Sequence, residues 1–531
     1  MLNTSRSRRG MVTSPHHLAS QAGLAILRDG GTAIEAAVAT AATLAVVYPH
    51  MNSIGGDSFW LLHVPGAPPV AIEGCGSAAA AADLDAYRGL GAIPSRGRLA
   101  ANTVAGTISG WEAALELNRA WGGGLRLGRL LEDAIVYARD GVPVGSGLAR
   151  TIAAKQAELR GCPGFAEVFL PGGVAPEVGQ VLKQPALAAT LKTLASDGLG
   201  GFYRGVLARV IADDLQSCDT LLSADDLASH RALRRLPLWL DLKIGRLFNF
   251  PPPTQGLASL LILAIFERLG VREADGFAHV HGLVEATKRA FAVRDVEVGD
   301  PAYMTIDPQA LLDDQARLQA WADEISGPAQ SWQRAPAGGD TVWFGAIDDQ
   351  GRAASVIQST YFEFGSGIVL PQTGIIWQNR GASFRLAEHG WNTLHPRRKP
   401  FHTLNPVLAH LRDGRVMLYG TMGGDGQPQT QAAIFSRYAL FGQELQRAIS
   451  APRWLLGRTW GDASTSLKLE RGLGADLAAE LAAAGHQVEI VDDHNEMMGH
   501  AGALVWHPDC SNGSMIEGAA DPRSDGAVAA W

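Results

Sequence analysis

The chain has 531 residues, of which 47% are apolar and 18% charged, and it carries a net charge of −8. This composition is that of a globular protein with a sizeable core and excludes an intrinsically disordered chain. The mild negative charge, without a basic tract, argues against nucleic acid or an anionic membrane surface as a partner.

Cysteine spacing and hydropathy narrow the class further. The four cysteines are widely spaced and form no Cys-x-x-Cys motif, which argues against a zinc site, a redox pair or a disulfide framework. We find no secretory signal and no apolar run long enough to span a bilayer, so we expect a soluble, cytoplasmic protein. No group of histidines and carboxylates has metal-site spacing, so we expect no metal and no cofactor.

The first part of the chain is predicted to be rich in helices. A helix ending at Gly30-Gly31 precedes an alanine-rich helix over 34–47, whose apolar composition predicts burial. Two strands over 58–74 form a hairpin. Residues 105–240 are mostly helical, and a rigid PPPTQG turn at 251–256 precedes a long helical region.

The second part is predicted to be rich in strands. A Pro- and Gly-rich linker ending in PAGGD stops at Thr341, and strands over 341–347 and 353–362 then flank a DDQG turn. Further strands are expected in IVLPQTGIIWQNR (368–380), HTLNPVLAHL, RVMLYGTMGG, HQVEIVD and GALVWH, and helices in QTQAAIFSRYALF and LGADLAAELAAAG. Together these helices and strands indicate a layered α+β fold whose core is formed by residues from both sides of the linker.

The position of Thr341 has two interpretations. On the local pattern alone, a strand that simply follows a linker is the more economical one. Alternatively, the chain is cut between Asp340 and Thr341, so that one residue supplies both a hydroxyl nucleophile and its own α-amine as the base. A free α-amine has a pKa of about 7.7–8.0 and accepts a proton at neutral pH, whereas the amide of an uncut chain cannot.

Two further segments fit such a site. The GTMGGDGQPQT segment ends a strand, turns through Gly423 and Gly424 and opens a helix, so its amides can stabilise an oxyanion. Ser359 lies on the strand antiparallel to Thr341, where its hydroxyl can support the nucleophile. A plain strand-to-helix turn and plain strand surface are the alternatives for these two segments.

Motifs along nearly the whole chain support the second interpretation. They include HMNSIGGDSFW, ANTVAGTISGWEAAL, PPPTQG, GDPAYM, DTVWFGAIDDQGRAASV, FGSGIVLPQTGI, GTMGGDGQPQ and AADPRSDGA. Together they resemble the γ-glutamyltransferase family of N-terminal nucleophile (Ntn) hydrolases. The resemblance implies a four-layer αββα sandwich built by a helix-rich large chain, 1–340, and a small chain, 341–531, separated by autocatalytic cleavage. The two products would form a heterodimer, with further homo-oligomerisation left open.

The same resemblance assigns roles to residues. It implies Thr341 as the nucleophile, Gly423 and Gly424 as the donors of the oxyanion hole, and Ser359 in place of a supporting threonine hydroxyl. The family's lid segment is shortened here to FRLAEHGWNTLH, which favours hydrolysis over transfer.

The substrate pocket departs from the family pattern. The family's early arginine, which binds the substrate carboxylate, falls on alanine near Ala82. In WQNRGASF, Arg380 and Ser383 replace residues that hold the substrate's ammonium group, and no carboxylate stands at Ser383 to pair with it. Asn379 lies beside them.

Three bulkier or altered residues complete the predicted pocket. Tyr361 replaces an asparagine, and His402-Thr403 replaces a Ser-Ser pair, which shortens the pocket. His402 as a satisfied core histidine is the alternative, and Arg397-Arg398-Lys399 is expected to be a solvated cluster.

These departures predict a pocket for an anion without an ammonium group, because arginine binds carboxylates bidentately. A surface or interface salt bridge is the alternative for Arg380. The pattern resembles the branch of the family that includes oxamate amidohydrolase of purine breakdown, which implies a small carboxylate-bearing amide as substrate. A γ-glutamyl hydrolase or transpeptidase, a glutaryl-cephalosporin-type acylase and an uncut binding scaffold remain open.

Overall fold

The computed structural model describes residues 2–325, 327–332, 339–457, 464–510 and 513–531. The helices within them are α1 His17–Arg28, α2 Ala33–Val47, α3 Thr107–Asn118, α4 Leu127–Leu130, α5 Glu132–Asp140, α6 Ser146–Leu159, α7 Phe165–Phe169, α8 Pro185–Asp197, α9 Val206–Ser217, α10 Ala224–Ser229, α11 Gly256–Arg268, α12 Phe277–Glu297, α13 Pro308–Asp313, α14 Gln315–Asp323, α15 Gly426–Phe435, α16 Leu445–Ser450 and α17 Ala475–Ala483. None of these helices is long and apolar enough to cross a membrane.

The strands within the described residues are β1 Ser5–Ser7, β2 Gly10–Ser14, β3 Asp57–His63, β4 Val70–Gly74, β5 Val142–Pro143, β6 Val181–Leu182, β7 Leu233–Arg235, β8 Leu238–Leu242, β9 Gly245–Asn249, β10 Asp340–Asp348, β11 Ala353–Tyr361, β12 Val407–Leu411, β13 Val416–Thr421, β14 Trp454–Leu456, β15 Leu467–Glu470, β16 Val488–Val491, β17 Ala501–Cys510, β18 Gly513–Ala520 and β19 Ala527–Ala530.

Two seven-stranded sheets form the centre of the described structure. Sheet I has the order β19-β2-β10-β11-β3-β4-β7, and sheet II has the order β1-β18-β17-β13-β12-β9-β8. Both sheets combine strands from before and after residue 341, so neither sheet is complete in either segment alone.

Apolar layers alternate with the sheets. Phe59, Trp343, Ile357, Leu408 and Leu504 belong to the core between the two sheets. Helices including α1, α2, α3, α5 and α8 pack on the outer face of sheet I, and α11, α12 and α15 pack on the outer face of sheet II. The αββα sandwich of class α+β predicted from the sequence is confirmed.

Helix α2 shows how the sequence determines one of these layers. Thr32 caps its first turn, because the threonine side chain accepts from the Glu35 amide while the Glu35 carboxylate accepts from the Thr32 amide. Every residue of the helix is buried, as its alanine-rich, apolar sequence predicts.

Trp343 fixes the start of β10 between the sheets. Its indole Nε1 donates to Ser355 Oγ at 3.0 Å. A Cβ on Gly420 would lie 2.2 Å from the indole Cδ1, and one on Gly502 would lie 2.6 Å from Cζ3. These two glycines of sheet II therefore leave the space that the indole fills, two residues after Thr341.

One predicted strand is wrong. Residues 368–380 form irregular chain with isolated bridges. The reason lies in the hydrogen bonding, because Pro371 has no amide hydrogen and the Asp214 carboxylate accepts from the backbone amides of Gln372 and Thr373. These groups are satisfied by a side chain of α9 and need no neighbouring strand.

Several strands were also not predicted. β7 and β8 lie in the 105–240 range expected to be mostly helical, and β18 and β19 complete the sheets from the end of the chain. The predicted strand in HQVEIVD is present as β16, but it belongs to a separate small sheet with β14 and β15.

We expect Gly420→Ala to destabilise the protein, because the added methyl group needs space that Trp343 occupies. Overpacking of this kind costs about 1–3 kcal/mol and lowers the melting temperature. Gly201→Ala is the matched control, since nothing lies within 4 Å of its Cβ position. Thermal unfolding monitored by circular dichroism measures both, and equal melting temperatures for the two variants would contradict the packing described for Trp343.

Candidate active site

Thr341 lies buried at the start of β10, with 1% of its surface exposed. The pairing register with β11 shifts at this point, because Asp340 lies opposite Tyr361 whereas Val342 lies opposite Gln358. Two residues of β11 therefore face the single residue Thr341, which makes a β-bulge. Bulges re-aim side chains and occur frequently beside active sites.

Ser359 is one of the two residues in this bulge. Its hydroxyl accepts a hydrogen bond from the Tyr361 amide at 2.8 Å. This bond helps to hold Tyr361 at a φ of +84°, which is a costly backbone conformation for a bulky residue. The structure thus places Ser359 across the bulge from Thr341, while its support of a nucleophile stays a prediction.

The predicted glycine turn joins β13 to α15. Gly423 has a φ of +117° and Gly424 a φ of +50°, and the first of these conformations strongly favours glycine. Neither amide donates a hydrogen bond to another residue in the described part of the chain. Both precede the N-terminus of α15, whose dipole favours negative charge, so the turn can stabilise an oxyanion.

Gln427, in the first turn of α15, connects this turn to Thr341. Its Nε2 donates to Thr341 Oγ1 at 3.4 Å, and its Oε1 accepts from Asn405 Nδ2 at 3.2 Å. Asn405 Nδ2 also donates to the Thr403 carbonyl at 3.0 Å. One buried polar network therefore holds the Thr341 hydroxyl and the segment around Thr403.

Gln255 ties the glycine turn to the same segment. Its Nε2 donates to the Gly424 carbonyl at 2.8 Å and to the Thr403 carbonyl at 2.7 Å. Its Oε1 accepts from Arg294 Nη1 at 2.8 Å, and Arg294 forms an ion pair with Asp425 at 2.8 Å. The Gly424 carbonyl and the Asp425 carboxylate of the turn are thus held by buried polar side chains.

The sequence analysis did not find these three network residues. Gln255 stands in PPPTQG, Gln427 in GGDGQPQ, and Asn405 directly before the strand in NPVLAHL. Gln255 and Gln427 lie in motifs that carry the family resemblance, so the signal for them was present without an assigned role.

Arg380 is buried, with 1% of its surface exposed, so the surface location left open for it is wrong. Its Nε and Nη2 donate to the Phe401 carbonyl at 3.0 and 2.5 Å, and its Nη1 donates to Thr403 Oγ1 at 3.2 Å. The guanidinium carbon lies 3.8 Å from the centroid of the Tyr361 ring. Burial is the main influence on the pKa of Arg380 and lowers it.

Asp57 and His402 form a buried pair in the same pocket. Asp57 Oδ1 accepts from the amides of Gly76 and Gly106 at 3.2 and 3.0 Å and from Gln378 Nε2 at 3.1 Å. Its Oδ2 has no hydrogen-bond partner among the described residues and lies 3.4 Å from His402 Nε2. Burial raises the pKa of Asp57 to about 7 and lowers that of His402 well below its ordinary value.

Asp57 supplies the pocket with a carboxylate, although none stands at Ser383 as the sequence analysis noted. That prediction considered only position 383, whereas Asp57 reaches the pocket from β3, where it lies opposite Ser359. Ala82, near the position of the family's early arginine, is packed in the apolar layer outside sheet I. From the early part of the chain, Asp57 and Cys75 are the groups whose charges raise the pKa of Arg380.

Ser383 and Asn379, which were also predicted to line the pocket, form hydrogen bonds with the backbone. Ser383 Oγ donates to the Phe401 carbonyl at 3.3 Å, the same carbonyl that the arginine binds. Asn379 Oδ1 accepts from the Phe362 amide at 3.1 Å, and its Nδ2 donates to the Ser95 carbonyl at 2.7 Å. Direct contact of these two side chains with a substrate stays a prediction.

The segment Arg397-Arg398-Lys399 is only in part the solvated cluster that we expected, because Arg397 is exposed whereas Arg398 is buried and Lys399 is half-buried. Arg398 is 5% exposed and donates to the Thr393 carbonyl at 2.9 Å, and the Lys399 ammonium pairs with the buried Glu73 carboxylate. Of the three charges, that of Lys399 is therefore paired with a carboxylate of β4.

The expectation that no residues have metal-site spacing is also wrong. His281, Glu285 and His486 are buried and close enough to share an ion. The first two lie one turn apart on α12, and the third comes from the turn after α17. However, Lys288 Nζ lies 2.6 Å from Glu285 Oε1, so an ammonium of the protein already neutralises this carboxylate.

Gly339 covers the arginine pocket in the uncut chain. It is buried, and a Cβ on it would lie 2.8 Å from Tyr361 Cε2 and 3.5 Å from Thr403 Oγ1. Thr403 Oγ1 is the atom that accepts from Arg380. The residue two positions before Thr341 therefore fills space beside the guanidinium, and this space opens if the segment departs.

Comparisons with known proteins agree with this arrangement. The sequence pattern described as gamma-glutamyltranspeptidase matches residues 19–531. The chain is 54% identical over 533 residues to the oxamate amidohydrolase proenzyme of Klebsiella pneumoniae subsp. pneumoniae, with 100% of both chains covered. It is 41% identical over 521 residues to the glutathione hydrolase-like YwrD proenzyme of Bacillus subtilis, with 98% of both covered.

A solved structure supports the same relationship. The cephalosporin acylase from Bacillus halodurans has a TM-score of 0.91 and 32% identity, and the match covers 100% of this chain and 97% of that one.

We expect Gly339→Ala to slow cleavage before Thr341 several-fold, because a methyl group 2.8 Å from the Tyr361 ring must displace the segment that carries the scissile bond. A time course on denaturing gels measures the ratio of uncut to cut chain, with Gly201→Ala as the control. Cleavage of Gly339→Ala at the wild-type rate would show that the position of Gly339 does not govern the reaction.

Proposed function

The chain belongs to the gamma-glutamyltranspeptidase family, and we propose that it is an Ntn amidohydrolase in which self-cleavage makes Thr341 an N-terminal nucleophile. We propose oxamate as its substrate and oxalate and ammonia as its products. One observation carries the choice of substrate: Arg380 is a buried cation that no described carboxylate neutralises through an ion pair, in a pocket joined to Thr341. The high identity to an oxamate amidohydrolase proenzyme supports it.

Cleavage begins with attack of Thr341 Oγ on the Asp340 carbonyl. The peptide C–N bond breaks as the acyl group moves to oxygen, which leaves an ester and a free Thr341 amine. Water hydrolyses the ester, which restores the hydroxyl and leaves a carboxylate on Asp340. The amides of Gly423 and Gly424 are placed to stabilise the oxyanion of these steps.

Turnover uses the same groups. The Thr341 amine takes the hydroxyl proton while Oγ attacks the amide carbon of oxamate. Breakdown of the tetrahedral intermediate returns that proton to the leaving nitrogen and releases ammonia, with an oxalyl ester left on Thr341. The amine then deprotonates water, which hydrolyses the ester to oxalate. Gln427 orients the hydroxyl through its Nε2.

The donors on Arg380 fit a carboxylate adjacent to the scissile amide. A guanidinium has five N–H donors. Three of those on Arg380 bind Phe401 and Thr403, which leaves two for a substrate. An uncompensated buried cation is costly, so a bound anion stabilises it. Tyr361 stacks on the guanidinium and limits the length of the acid.

A γ-glutamyl hydrolase is the second candidate. Asp57 supplies a carboxylate near Arg380, so the pocket contains one group for each end of an amino-acid head. The similarity to the glutathione hydrolase-like YwrD proenzyme also favours a γ-glutamyl hydrolase.

The setting of the reaction is part of the proposal. All four cysteines are free, which supports a reducing compartment, the cytoplasm. We also propose that the two cleavage products stay together as a heterodimer, because both sheets use strands from both, and that oxamate hydrolysis serves purine breakdown.

Substitution of Thr341 tests cleavage and catalysis together. We expect Thr341→Ala to remain a single uncut chain without ammonia release from oxamate, because both the hydroxyl and the new amine are lost. Thr341→Ser retains both groups and should be cut slowly. Intact mass spectrometry and an ammonia assay measure the two effects. An uncut Thr341→Ala chain that still hydrolyses oxamate would exclude this residue as the nucleophile.

Substitution of Arg380 tests the substrate. We expect Arg380→Ala to be cleaved normally but to lose about 2–3 kcal/mol of transition-state binding, seen as a fall of roughly 30- to 150-fold in kcat/KM for oxamate. Arg380→Lys should recover little, because an ammonium lacks the planar fork.

The matched control is Arg246→Ala, an exposed arginine on β9 paired with Asp241. The assay compares oxamate with a γ-glutamyl anilide for each variant. A wild-type preference for the glutamyl compound would favour the second candidate, and unchanged oxamate hydrolysis in Arg380→Ala would remove the arginine from substrate binding.

A further inference from the structure

Asp57 is a buried carboxylate that the proposed mechanism does not use. Three N–H groups on Oδ1 fix its side chain, while Oδ2 faces His402 without a hydrogen-bond partner in the described structure. An unpartnered oxygen on a rigidly held, buried carboxylate is costly and points to a ligand or a proton. Asp57 lies opposite Ser359, on the strand next to the one that faces Thr341.

The titratable groups that interact with Asp57 keep a constant charge near neutral pH, whereas Asp57 itself changes charge there. These groups are His402, Arg380, Cys75 and Tyr203. Burial keeps the imidazole of His402 neutral by lowering its pKa, and it raises the pKa values of the Cys75 thiol and the Tyr203 phenol. Arg380 stays charged throughout.

The charge on Asp57 decides what else can bind at Arg380. An acid that places its carboxylate on the guanidinium brings a second negative charge into a buried space that already holds Asp57. Two carboxylates in such a site repel each other, which raises the pKa of Asp57, so anion binding favours the protonated Asp57. A substrate with an amino-acid head carries an ammonium group besides its carboxylate, and this positive charge favours ionised Asp57.

We propose that the protonation state of Asp57 selects the substrate: protonated Asp57 admits an acid that has a carboxylate and no ammonium group, and ionised Asp57 favours an amino-acid head. The inference rests on the proposed role of Arg380 in carboxylate binding. In the protonated state the Asp57 hydroxyl on Oδ2 can donate to the neutral His402 Nε2 or to the bound acid, which gives this oxygen a hydrogen-bond partner.

The direction of the pH effect follows from this coupling. Binding of a carboxylate at Arg380 raises the pKa of Asp57 above its value of about 7, so the protein takes up a proton as the acid binds. Affinity for the acid is therefore complete below that pKa and falls as the pH rises through it. The Thr341 amine has the opposite effect, because activity falls when a low pH protonates it.

Asp57→Asn isolates the effect, since asparagine keeps an acceptor for the three N–H donors and its amide can donate to His402 as protonated Asp57 does. We expect wild-type kcat/KM for oxamate to fall roughly tenfold per pH unit once the pH exceeds the pKa values of both Asp57 and the Thr341 amine, because the amine then gains no further activity while the protonated fraction of Asp57 keeps falling. Asp57→Asn should lose this alkaline fall and retain the acid one. Its residual γ-glutamyl anilide activity should decrease.

Asp214→Asn is the matched control. Asp214 is a buried carboxylate on α9 that accepts from the Gln372 and Thr373 amides, away from the pocket. We expect this variant to keep the alkaline fall. An alkaline fall that persists unchanged in Asp57→Asn overturns the inference.

Proton uptake provides a second measurement that does not depend on turnover. Calorimetric titration of the cleaved protein with oxalate, in buffers of different ionisation enthalpy, counts protons bound with the acid. We expect net uptake in the wild type just above the pKa of Asp57 and none in Asp57→Asn. The absence of uptake in the wild type, or of oxalate binding, overturns the inference whether or not the variant folds.

The two proposals fail separately. Uptake linked to Asp57 in a wild-type protein that does not hydrolyse oxamate supports the role of Asp57 and shows that the proposed substrate is wrong. Hydrolysis of oxamate without linked proton uptake supports the proposed substrate and shows that the role proposed for Asp57 is wrong.

Discussion

Thr403 is the junction on which the geometry of the site depends. Its carbonyl accepts from both Gln255 and Asn405, and its hydroxyl accepts from Arg380. Through the two amides it is tied to the glycine turn and to the Thr341 hydroxyl, and through the guanidinium it is tied to the pocket for the acid. A shift of this one residue would therefore move Arg380, the proposed carboxylate-binding group, relative to the proposed nucleophile, which transition-state geometry does not tolerate.

The buried charge of Arg380 supports the proposal that the pocket binds a small acid, and Gly339 occupies part of this pocket in the uncut chain. Arg380 is desolvated, stacked on Tyr361, and bound on one side to a carbonyl and a hydroxyl. Before cleavage, Gly339 lies against the same tyrosine and threonine, so the chain itself occupies space beside them. In the proposed mechanism, cleavage creates the amine that serves as base and leaves Gly339 one residue from a new chain end.

The sequence predicted the parts of the site that are local. Thr341 at the start of a hairpin strand, and Gly423-Gly424 between a strand and a helix, are encoded by a few adjacent residues with strong turn and strand preferences. Asp57 and Gln255 were not found, because each reaches the site from another strand or layer and no spacing along the chain reveals that contact. The strand expected at 368–380 was wrong for a related reason, since its amides bind a carboxylate far away in sequence.

Trapping of the covalent intermediate tests the central claim most directly. The cleaved protein is mixed with oxamate, quenched in acid within one turnover and digested, and the N-terminal peptide of the small chain is analysed by tandem mass spectrometry. The account predicts an oxalyl group on the residue Thr341 at the new N-terminus, absent when the substrate is omitted. An oxalyl group on another side chain, such as Cys75, or a chain in which Thr341 is still joined to Asp340, would contradict it.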